Sequence, residues 1–259
     1  MIVMFKQRFG LEGKAALVTG GSKGLGKEIA RIFVEAGAQV FICGRHEAQL
    51  FAAVGDISGG ESDRVAFLAC DLVERDQVDL LAQAALERFG RVDILVNNAG
   101  SNCPQAIDVI QDADWDQIME LNLTNIMRLT RALVPGMKER RWGRIIHISS
   151  VLGLGGKEGR GIYSSSKAGL LGLTYATALD LGPYNVTVNS IAPGPFLTDL
   201  PKSILTSEQQ QGFSDRTALE RWGRPEEIAG PALLLASDAG SYITGAVLTV
   251  DGGVMSKVL

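Results

Sequence analysis

Short apolar runs rich in β-branched residues alternate along the chain with longer segments in which apolar residues recur at helical spacing. The first run covers residues 15–19, and a helical pattern follows over about 25–36. Further strands are predicted at residues 40–43, 65–69, 94–97, 145–149, 187–191 and 247–250. Because right-handed crossovers lay helices on both faces of such strands, the pattern predicts an α/β fold around a seven-stranded parallel sheet.

No linker, repeat or shift in composition divides the sequence, so residues 1–259 are predicted to form one domain. The least regular segment is 193–217, which contains three prolines and the polar stretch "SEQQQ". Long loops in compact domains are usually functional, and this one follows a strand on the side where open α/β sheets bind ligands. We predict that residues 193–217 form a lid loop over a small-molecule substrate.

Composition narrows the classes of partner. A net charge of -4 without a basic stripe argues against nucleic acid, and the basic cluster at 138–144 is predicted to end a helix, where cations complement the dipole. No apolar run reaches the length of a membrane span or a secretory signal, so we expect a cytoplasmic protein without a membrane partner. Cys43, Cys70 and Cys103 lack metal or disulfide spacing, and with only two histidines no metal site is expected.

The stretch "TGGSKGLG" (19–26) lies where the first predicted strand turns into the first helix. Its glycines allow a sharp turn, close approach of the backbone to a pyrophosphate, and tight packing of helix on strand. In this context the motif predicts dinucleotide binding by a doubly wound, Rossmann-type domain. The predicted contacts in this loop are Gly20, Ser22, Lys23, Gly24, Leu25 and Gly26.

The end of the second strand bears on the choice of cofactor. NAD sites usually carry an acidic residue there for the ribose hydroxyls, but this chain has Gly44 followed by Arg45. Arginine forms charge-assisted bidentate bonds with phosphate, and Lys23 adds a second cation. The alternative is that both are solvated surface cations. The sequence favours NADP(H).

The third and fourth strands end in "CDL" and "NNAG". Asp71 can accept a hydrogen bond from the adenine amine, and the small residues of "NNAG" let backbone lie against the adenosine. The alternatives are that Asp71 caps the following turn and that the asparagines satisfy loop backbone. The cofactor contacts expected here are Asp71, Leu72, Asn98, Ala99 and Gly100.

After the fifth strand, Tyr163 lies thirteen residues beyond Ser150, and Lys167 follows one helical turn later. Positions i and i+4 share a helix face, so the ammonium is predicted to lie near the phenol. That cation, together with a positively charged nicotinamide, would lower the tyrosine pKa from about 10 and favour the phenolate. Ser150 can donate a hydrogen bond to a substrate oxygen as charge develops on it.

Together these motifs resemble the short-chain dehydrogenase/reductase family of roughly 250-residue members. The resemblance rests on "TGGSKGLG", "NNAG", "ELNLTN", "ISS", "YSSSK", "APG" followed by Thr198, and "YITGAVLTVDGG". It implies that Tyr163 is the general acid/base, that Ser150 positions the substrate oxygen, and that Lys167 binds the nicotinamide ribose. It further implies that Asn122 holds a water in a proton relay. The residues that it places around the nicotinamide are Tyr163, Lys167, Pro193, Gly194, Phe196 and Thr198.

The resemblance leaves the substrate open. Family members that reduce enoyl double bonds space the tyrosine and lysine more widely than this chain does, so the resemblance favours interconversion of carbonyl and alcohol. "RWGRPEE" (221–227) is similar to members acting on gluconate or related polyols, whereas the general pattern is equally similar to 3-oxoacyl-thioester (acyl carrier protein) reductases. Lys157 or Arg160 could meet a substrate carboxylate, or both could remain solvated. A non-catalytic regulator that senses dinucleotides is the distant alternative.

The helix predicted over 163–181 carries only Lys167 and Asp180 as charges and is apolar or small on every side. Such a helix needs burial on both faces. The sheet covers one face, and Gly169, Gly172 and Ala176 would let a second copy of the helix cover the other. The sequence therefore predicts a symmetric homo-oligomer, which the family resemblance extends to a homotetramer.

Overall fold

The computed structural model describes residues 2–59, 62–198 and 206–257. All seven predicted strands are present in it. They are β1 (Ala15–Thr19), β2 (Gln39–Gly44), β3 (Val65–Ala69), β4 (Ile94–Asn97), β5 (Gly143–Ile148), β6 (Val186–Pro193) and β7 (Val247–Val250). Their order in the single sheet is β3-β2-β1-β4-β5-β6-β7, and every pairing is parallel. The predicted α/β fold with a seven-stranded parallel sheet is confirmed.

Helices connect the strands and cover the sheet. They are α1 (Ile2–Phe9), α2 (Gly24–Glu35), α3 (Glu47–Ser58), α4 (Arg75–Phe89), α5 (Asp112–Met119), α6 (Asn125–Arg140), α7 (Gly161–Leu181), α8 (Ser207–Ser214) and α9 (Ala229–Ala236). A π-helical turn, Glu120–Thr124, joins α5 to α6. The basic cluster at 138–144 does end a helix, since α6 stops at Arg140.

Two apolar cores lie on opposite faces of the sheet because strand residues alternate between the faces. On one face, Val18 and Ile146 pack in a cluster with Phe33 of α2. On the other, Leu17 packs in a cluster with Leu133 of α6. Residues of both parities are fully buried, as expected for a parallel sheet covered on both sides.

The strand order reverses between β1 and β4, which lie side by side although β2 and β3 intervene in the chain. Chains leaving the carboxyl ends of these two strands diverge towards opposite faces and open a crevice, the usual ligand site of an open α/β sheet. The glycine-rich loop follows β1 and "NNAG" closes β4. The topology therefore brings these two motifs to one place.

The segment predicted as an irregular lid is more ordered than expected. Pro193 is the last residue of β6, and the polar stretch at 207–211 belongs to α8. Thr206 and Gln209 form a capping box: the Thr206 hydroxyl accepts from Gln209 N at 3.2 Å, and Gln209 Oε1 accepts from Thr206 N at 3.0 Å. This threonine and glutamine spacing is itself a sequence pattern typical of helix starts. Residues 199–205 of the predicted lid lie outside the described residues.

Across the described ranges, every helix is too short or too polar to cross a bilayer.

Candidate active site

The glycine-rich loop is tied to the end of β4 by a small hydrogen-bond network. Thr19 Oγ1 accepts from the backbone amides of Asn98 and Ala99, each at 2.9 Å. Asn98 Nδ2 donates to the carbonyls of Thr19 at 2.8 Å and Gly20 at 3.2 Å. The Asn98 side chain therefore hydrogen-bonds loop backbone, which is one of the two roles that the sequence allowed. These bonds hold the glycine-rich loop and "NNAG" together.

Two of the loop glycines are required by geometry. Gly20 has a φ of +67°, in the left-handed region that favours glycine. A Cβ at Gly26 would lie 2.4 Å from the Gly20 carbonyl oxygen and 2.4 Å from Asn98 Nδ2, so a side chain there would force the loop and helix apart. The compact turn leaves the amino terminus of α2 beside the crevice, where its backbone amides can hold a dinucleotide pyrophosphate.

Lys23 and Arg45 lie at one corner of the crevice. Ser22 Oγ is 3.3 Å from the position that a Cβ would occupy at Gly44, so the residue before Lys23 touches the residue before Arg45. Both cationic side chains are exposed. In the part of the chain that the structure describes, neither has an ion-pair or hydrogen-bond partner. These two cations, one in the glycine-rich loop and one at the end of β2, fit the 2'-phosphate of NADP(H).

Asp71 acts as a cap in the structure. Its Oδ1 accepts from Val73 N at 3.0 Å, and its own amide donates to Gln77 Oε1 at 2.7 Å. The carbonyl of Leu72 accepts from Asn125 Nδ2 at 2.9 Å, which fixes this turn against α6. The turn beside β3 is therefore rigid, and contact of Asp71 with an adenine stays a prediction.

The two serines after β5 have different partners. Ser149 Oγ donates to the Lys167 carbonyl at 3.0 Å and is thereby turned towards α7. Ser150 Oγ accepts from Leu152 N at 3.1 Å, and its side chain is close enough to lower the pKa of the Tyr163 phenol. The role of Ser150 in positioning a substrate oxygen stays a prediction.

Tyr163 and Lys167 share one face at the start of α7, as their spacing predicted. Lys167 Nζ lies 5.7 Å from the centroid of the Tyr163 ring and donates to the Ile148 carbonyl at 2.8 Å. Burial lowers the pKa of Lys167 to about 8. Burial also raises the pKa of Tyr163, although the nearby Ser150 hydroxyl and the charge of Arg160 oppose that rise. Within the polypeptide, desolvation thus outweighs the lowering of the phenol pKa that the sequence predicted.

Asn122 is fully buried in the π-helical turn between α5 and α6. Its Nδ2 donates to the Ser101 carbonyl at 2.9 Å and to Ser166 Oγ at 3.0 Å, while its Oδ1 accepts from Ser101 N at 3.0 Å. It therefore joins the loop after β4 to α7. Gly100 makes this approach possible, because a Cβ there would lie 3.1 Å from Asn122 Oδ1 and 3.4 Å from Lys167 Nζ.

The segment that follows β6 is held by backbone hydrogen bonds on its outer side. Gly194 N donates to the Val250 carbonyl at 3.0 Å, and Phe196 forms an isolated parallel bridge with Gly223. Thr198 Cγ2 lies 3.3 Å from the position of a Cβ at Gly24, so the segment reaches across the crevice to the glycine-rich loop. Thr198 thus borders the same crevice as the glycine-rich loop, and contact of Pro193, Gly194 and Phe196 with a nicotinamide stays a prediction.

Sequence reasoning missed the role of His147, which it counted only as one of two histidines. Its Nδ1 is 3.1 Å from Asn97 Nδ2 on the adjacent strand. Burial, and then the charge of Lys167, lowers the pKa of His147 to about 3, so the imidazole is neutral at physiological pH. The pairing of Asn97 with His147 in the β4 and β5 register places both behind the reaction centre.

One further cleft lies away from this site. A cleft of about 480 Å³ at the amino-terminal edge of the sheet is lined by Arg8, Trp142 and Arg144 among others, and contains none of the predicted site residues. Across residues 2–59, 62–198 and 206–257, no group of three or more His, Cys, Asp or Glu side chains could hold a metal ion.

A family model described as short chain dehydrogenase matches residues 14–209. The chain therefore belongs to the short-chain dehydrogenase/reductase family of oxidoreductases, and the resemblance seen in the sequence is confirmed.

Individual relatives are similar over nearly the whole chain. The chain is 39% identical over 244 residues to the 3-oxoacyl-acyl-carrier-protein reductase FabG of Chlamydia muridarum, covering 94% of this chain and 98% of that protein. It is 39% identical over 251 residues to the 7alpha-hydroxysteroid dehydrogenase of Escherichia coli K12, covering 96% of each. A gluconate 5-dehydrogenase from Burkholderia cenocepacia, solved in complex with NADP and tartrate, superposes with a TM-score of 0.91 at 32% identity, covering 98% of this chain and 100% of that one.

Proposed function

We propose that the protein is an NADP(H)-dependent oxidoreductase that interconverts a ketone and a secondary alcohol, with Tyr163 as the general acid/base. One observation carries the proposal: the Ser150 hydroxyl is close enough to lower the pKa of the Tyr163 phenol, and the buried ammonium of Lys167 lies 5.7 Å from the centre of the same ring. The three residues stand at the carboxyl end of β5, beside a loop that fits a dinucleotide. A non-catalytic regulator would not need this arrangement.

The roles follow from the groups that each residue presents. Ser150 donates a hydrogen bond to the substrate oxygen, and Tyr163 gives a proton to that oxygen in reduction or takes it in oxidation. Lys167, held by the Ile148 carbonyl, keeps donors for the nicotinamide ribose. Asn122 holds a water that passes the proton to solvent. When bound, the nicotinamide supplies or accepts the hydride.

NADP(H) is the preferred cofactor in this proposal. The two unpaired cations Lys23 and Arg45, with Gly44 in place of an acidic residue, support it, and so does the NADP in the complex of the similar gluconate 5-dehydrogenase. The remaining proposed contacts are those of the glycine-rich loop, the ends of β3 and β4, and the segment after β6. We also retain the sequence-based predictions of one domain over residues 1–259 and of a cytoplasmic location.

For the substrate we propose a sugar acid or polyol such as gluconate and 5-ketogluconate. Structural similarity to a gluconate 5-dehydrogenase supports this class. The second candidate is a 3-oxoacyl thioester carried by acyl carrier protein, which the 39% identity to the Chlamydia muridarum reductase favours. The similar hydroxysteroid dehydrogenase adds a class that the sequence patterns did not suggest.

A Tyr163→Phe variant tests the mechanism. It removes the hydroxyl that transfers the proton and keeps the ring, so kcat should fall by at least about 100-fold while NADPH affinity stays close to that of the wild type. Turnover is followed by the nicotinamide absorbance on a panel of gluconate, 5-ketogluconate, acetoacetyl thioesters and small diketones. Tyr242→Phe is the matched control, because it makes the same change at a fully exposed tyrosine outside the site. Retention of wild-type turnover by Tyr163→Phe contradicts the mechanism.

An Arg45→Ala variant tests the cofactor preference. Losing the guanidinium should weaken NADPH binding about 10- to 100-fold, as for a charge-assisted pair, and leave NADH binding nearly unchanged. Fluorescence titration of the reduced cofactors measures both affinities. His46→Ala, at the next exposed position, is the control. Equal affinities of the wild type for NADPH and NADH would show that the cofactor assignment is wrong.

A further inference from the structure

Arg160 immediately precedes α7, three residues before Tyr163. Its backbone is fixed from both sides: its carbonyl accepts from Ser164 N at 2.8 Å, and its amide donates to the Lys157 carbonyl at 3.1 Å. Arg160 also forms an isolated parallel bridge with Gln105, in the loop after β4. Two loops that border the crevice thus hold this residue at a defined position beside the acid/base.

Arg160 is half-buried as a residue, and its charge is close enough to act on the Tyr163 phenol. Among the described residues, no carboxylate pairs with it and no hydrogen bond to its side chain is formed. The acidic residue near the facing loop, Asp114, is already engaged by Gln105 Nε2. A cation at this position is available to pair with a ligand anion through charge-assisted hydrogen bonds.

Lys157, the other cation of this loop, has a partner. Its Nζ lies 4.8 Å from the centroid of the Phe213 ring on α8, an attractive arrangement of cation and aromatic ring. The structure therefore separates the two candidates that the sequence left open. Lys157 contacts α8 in the predicted lid segment, whereas the N–H donors of the Arg160 side chain remain available for a ligand.

We propose that Arg160 is a specificity-determining residue that binds a substrate carboxylate, so that the enzyme selects keto acids and hydroxy acids. The inference rests on the proposed function, because it assumes that the substrate oxygen lies between Ser150 and Tyr163. The carboxylate then lies a few bonds from the reacting carbon, within reach of the planar donor fork of arginine. Sugar acids belong to this class, whereas 3-oxoacyl thioesters carry no anion at that distance.

Matched pairs of substrates that differ only in the anion test the assignment. We compare gluconate with gluconamide, and acetoacetate with acetoacetamide, by kcat/KM in the wild-type enzyme with its nicotinamide cofactor. The acid should be preferred about 10- to 100-fold, the usual strength of a charge-assisted hydrogen-bonded pair. Arg160→Ala should bring the ratio of acid to amide close to one, mainly by raising KM for the acid. Arg160→Lys should restore part of the ratio, and Lys157→Ala, the matched control in the same loop, should leave it unchanged.

A preference for the acid that survives in Arg160→Ala overturns the inference, as does wild-type turnover of the amide or of an acetoacetyl thioester equal to that of the acid. Either result leaves the proposed oxidoreductase intact, because carbonyl and alcohol turnover is still observed. An absence of turnover with every compound overturns the proposed function itself, and the inference with it.

Discussion

The tertiary structure shifts the pKa values of the buried side chains behind the reaction centre away from their ordinary values. His147 lies on β5 with Asn97 beside it, and among the described residues no acidic partner compensates a protonated ring. The ammonium of Lys167 on α7 makes protonation harder still. At neutral pH the fold therefore keeps a neutral imidazole next to a lysine whose own pKa is lowered to about 8.

The pKa of about 3 for His147 predicts a dependence of stability on pH. An unfolded histidine titrates near about 6.5, so between that pH and about 3 the unfolded chain binds a proton that the folded chain does not. The free energy of unfolding should therefore fall as the pH drops, by about 1.4 kcal/mol per pH unit, or roughly 2 kcal/mol from pH 6.5 to pH 5.

Urea unfolding of the wild type and of His147→Gln at pH 7, 6 and 5 measures this effect. The variant should lose most of the slope in this window. Carboxylates in ion pairs, such as Glu227 with a pKa of about 2, lose their charge at lower pH and contribute little here. Equal slopes for the two proteins would show that His147 is not the titrating group.

At the scale of elements, hydrophobic periodicity located every strand of the sheet, but strand ends shifted by one or two residues. β6 runs to Pro193, two residues beyond the predicted end, because its last residues pair with β7. Proline is tolerated at that position because a strand end does not need its N–H. Hydrophobic periodicity reports apolar side chains but not which residues pair with a neighbouring strand. The ends of strands are therefore the least accurate part of the prediction.

The π-helical turn at Glu120–Thr124 is the element that the sequence could not predict. It adds one residue to a helical turn, so that Asn125 N donates to the Glu120 carbonyl five residues back. This small change leaves the apolar pattern almost unaltered. What maintains the turn is Asn122, whose amide is held by Ser101 and Ser166 from other parts of the chain. The motif "ELNLTN" pointed to Asn122, but only the fold showed that this residue lies in a π-helical turn.

At the scale of the whole molecule, α7 leaves one face uncovered in the single chain. Tyr175 is 48% exposed and Leu179 is 80% exposed on this helix, although the helix has almost no charged residues. A continuous apolar face of this kind usually marks a contact with another protein copy. The predicted homotetramer, which remains a proposal, would bury it.

A Gly172→Leu variant tests this assembly. In the single chain, a Cβ at Gly172 would meet no atom within 4 Å, so the fold of the protomer should tolerate leucine there. In a close helix-to-helix contact, however, overpacking of this kind costs about 1 to 3 kcal/mol for each contact. We expect the variant to shift to smaller species at micromolar concentration, as measured by light scattering after size-exclusion chromatography.

Gly55→Leu is the matched control. Gly55 lies in the middle of α3 and also has no atom within 4 Å of an added Cβ, but α3 is not the predicted contact helix. That variant should keep the wild-type mass. A monomeric wild type, or a Gly172→Leu protein that retains the full mass, would contradict the predicted assembly through α7.

The sequence by itself determined the fold class and the dinucleotide motif, and it predicted Ser150, Tyr163 and Lys167 as the reaction centre, because local patterns encode apolar periodicity, tight turns and helical spacing. Only the tertiary structure decided how these groups are surrounded. Burial raises the Tyr163 pKa and lowers those of Lys167 and His147. Lys157 contacts the Phe213 ring, whereas Arg160 has no side-chain partner within the described ranges. Desolvation and pairing depend on residues far apart in the chain, so no local pattern records them.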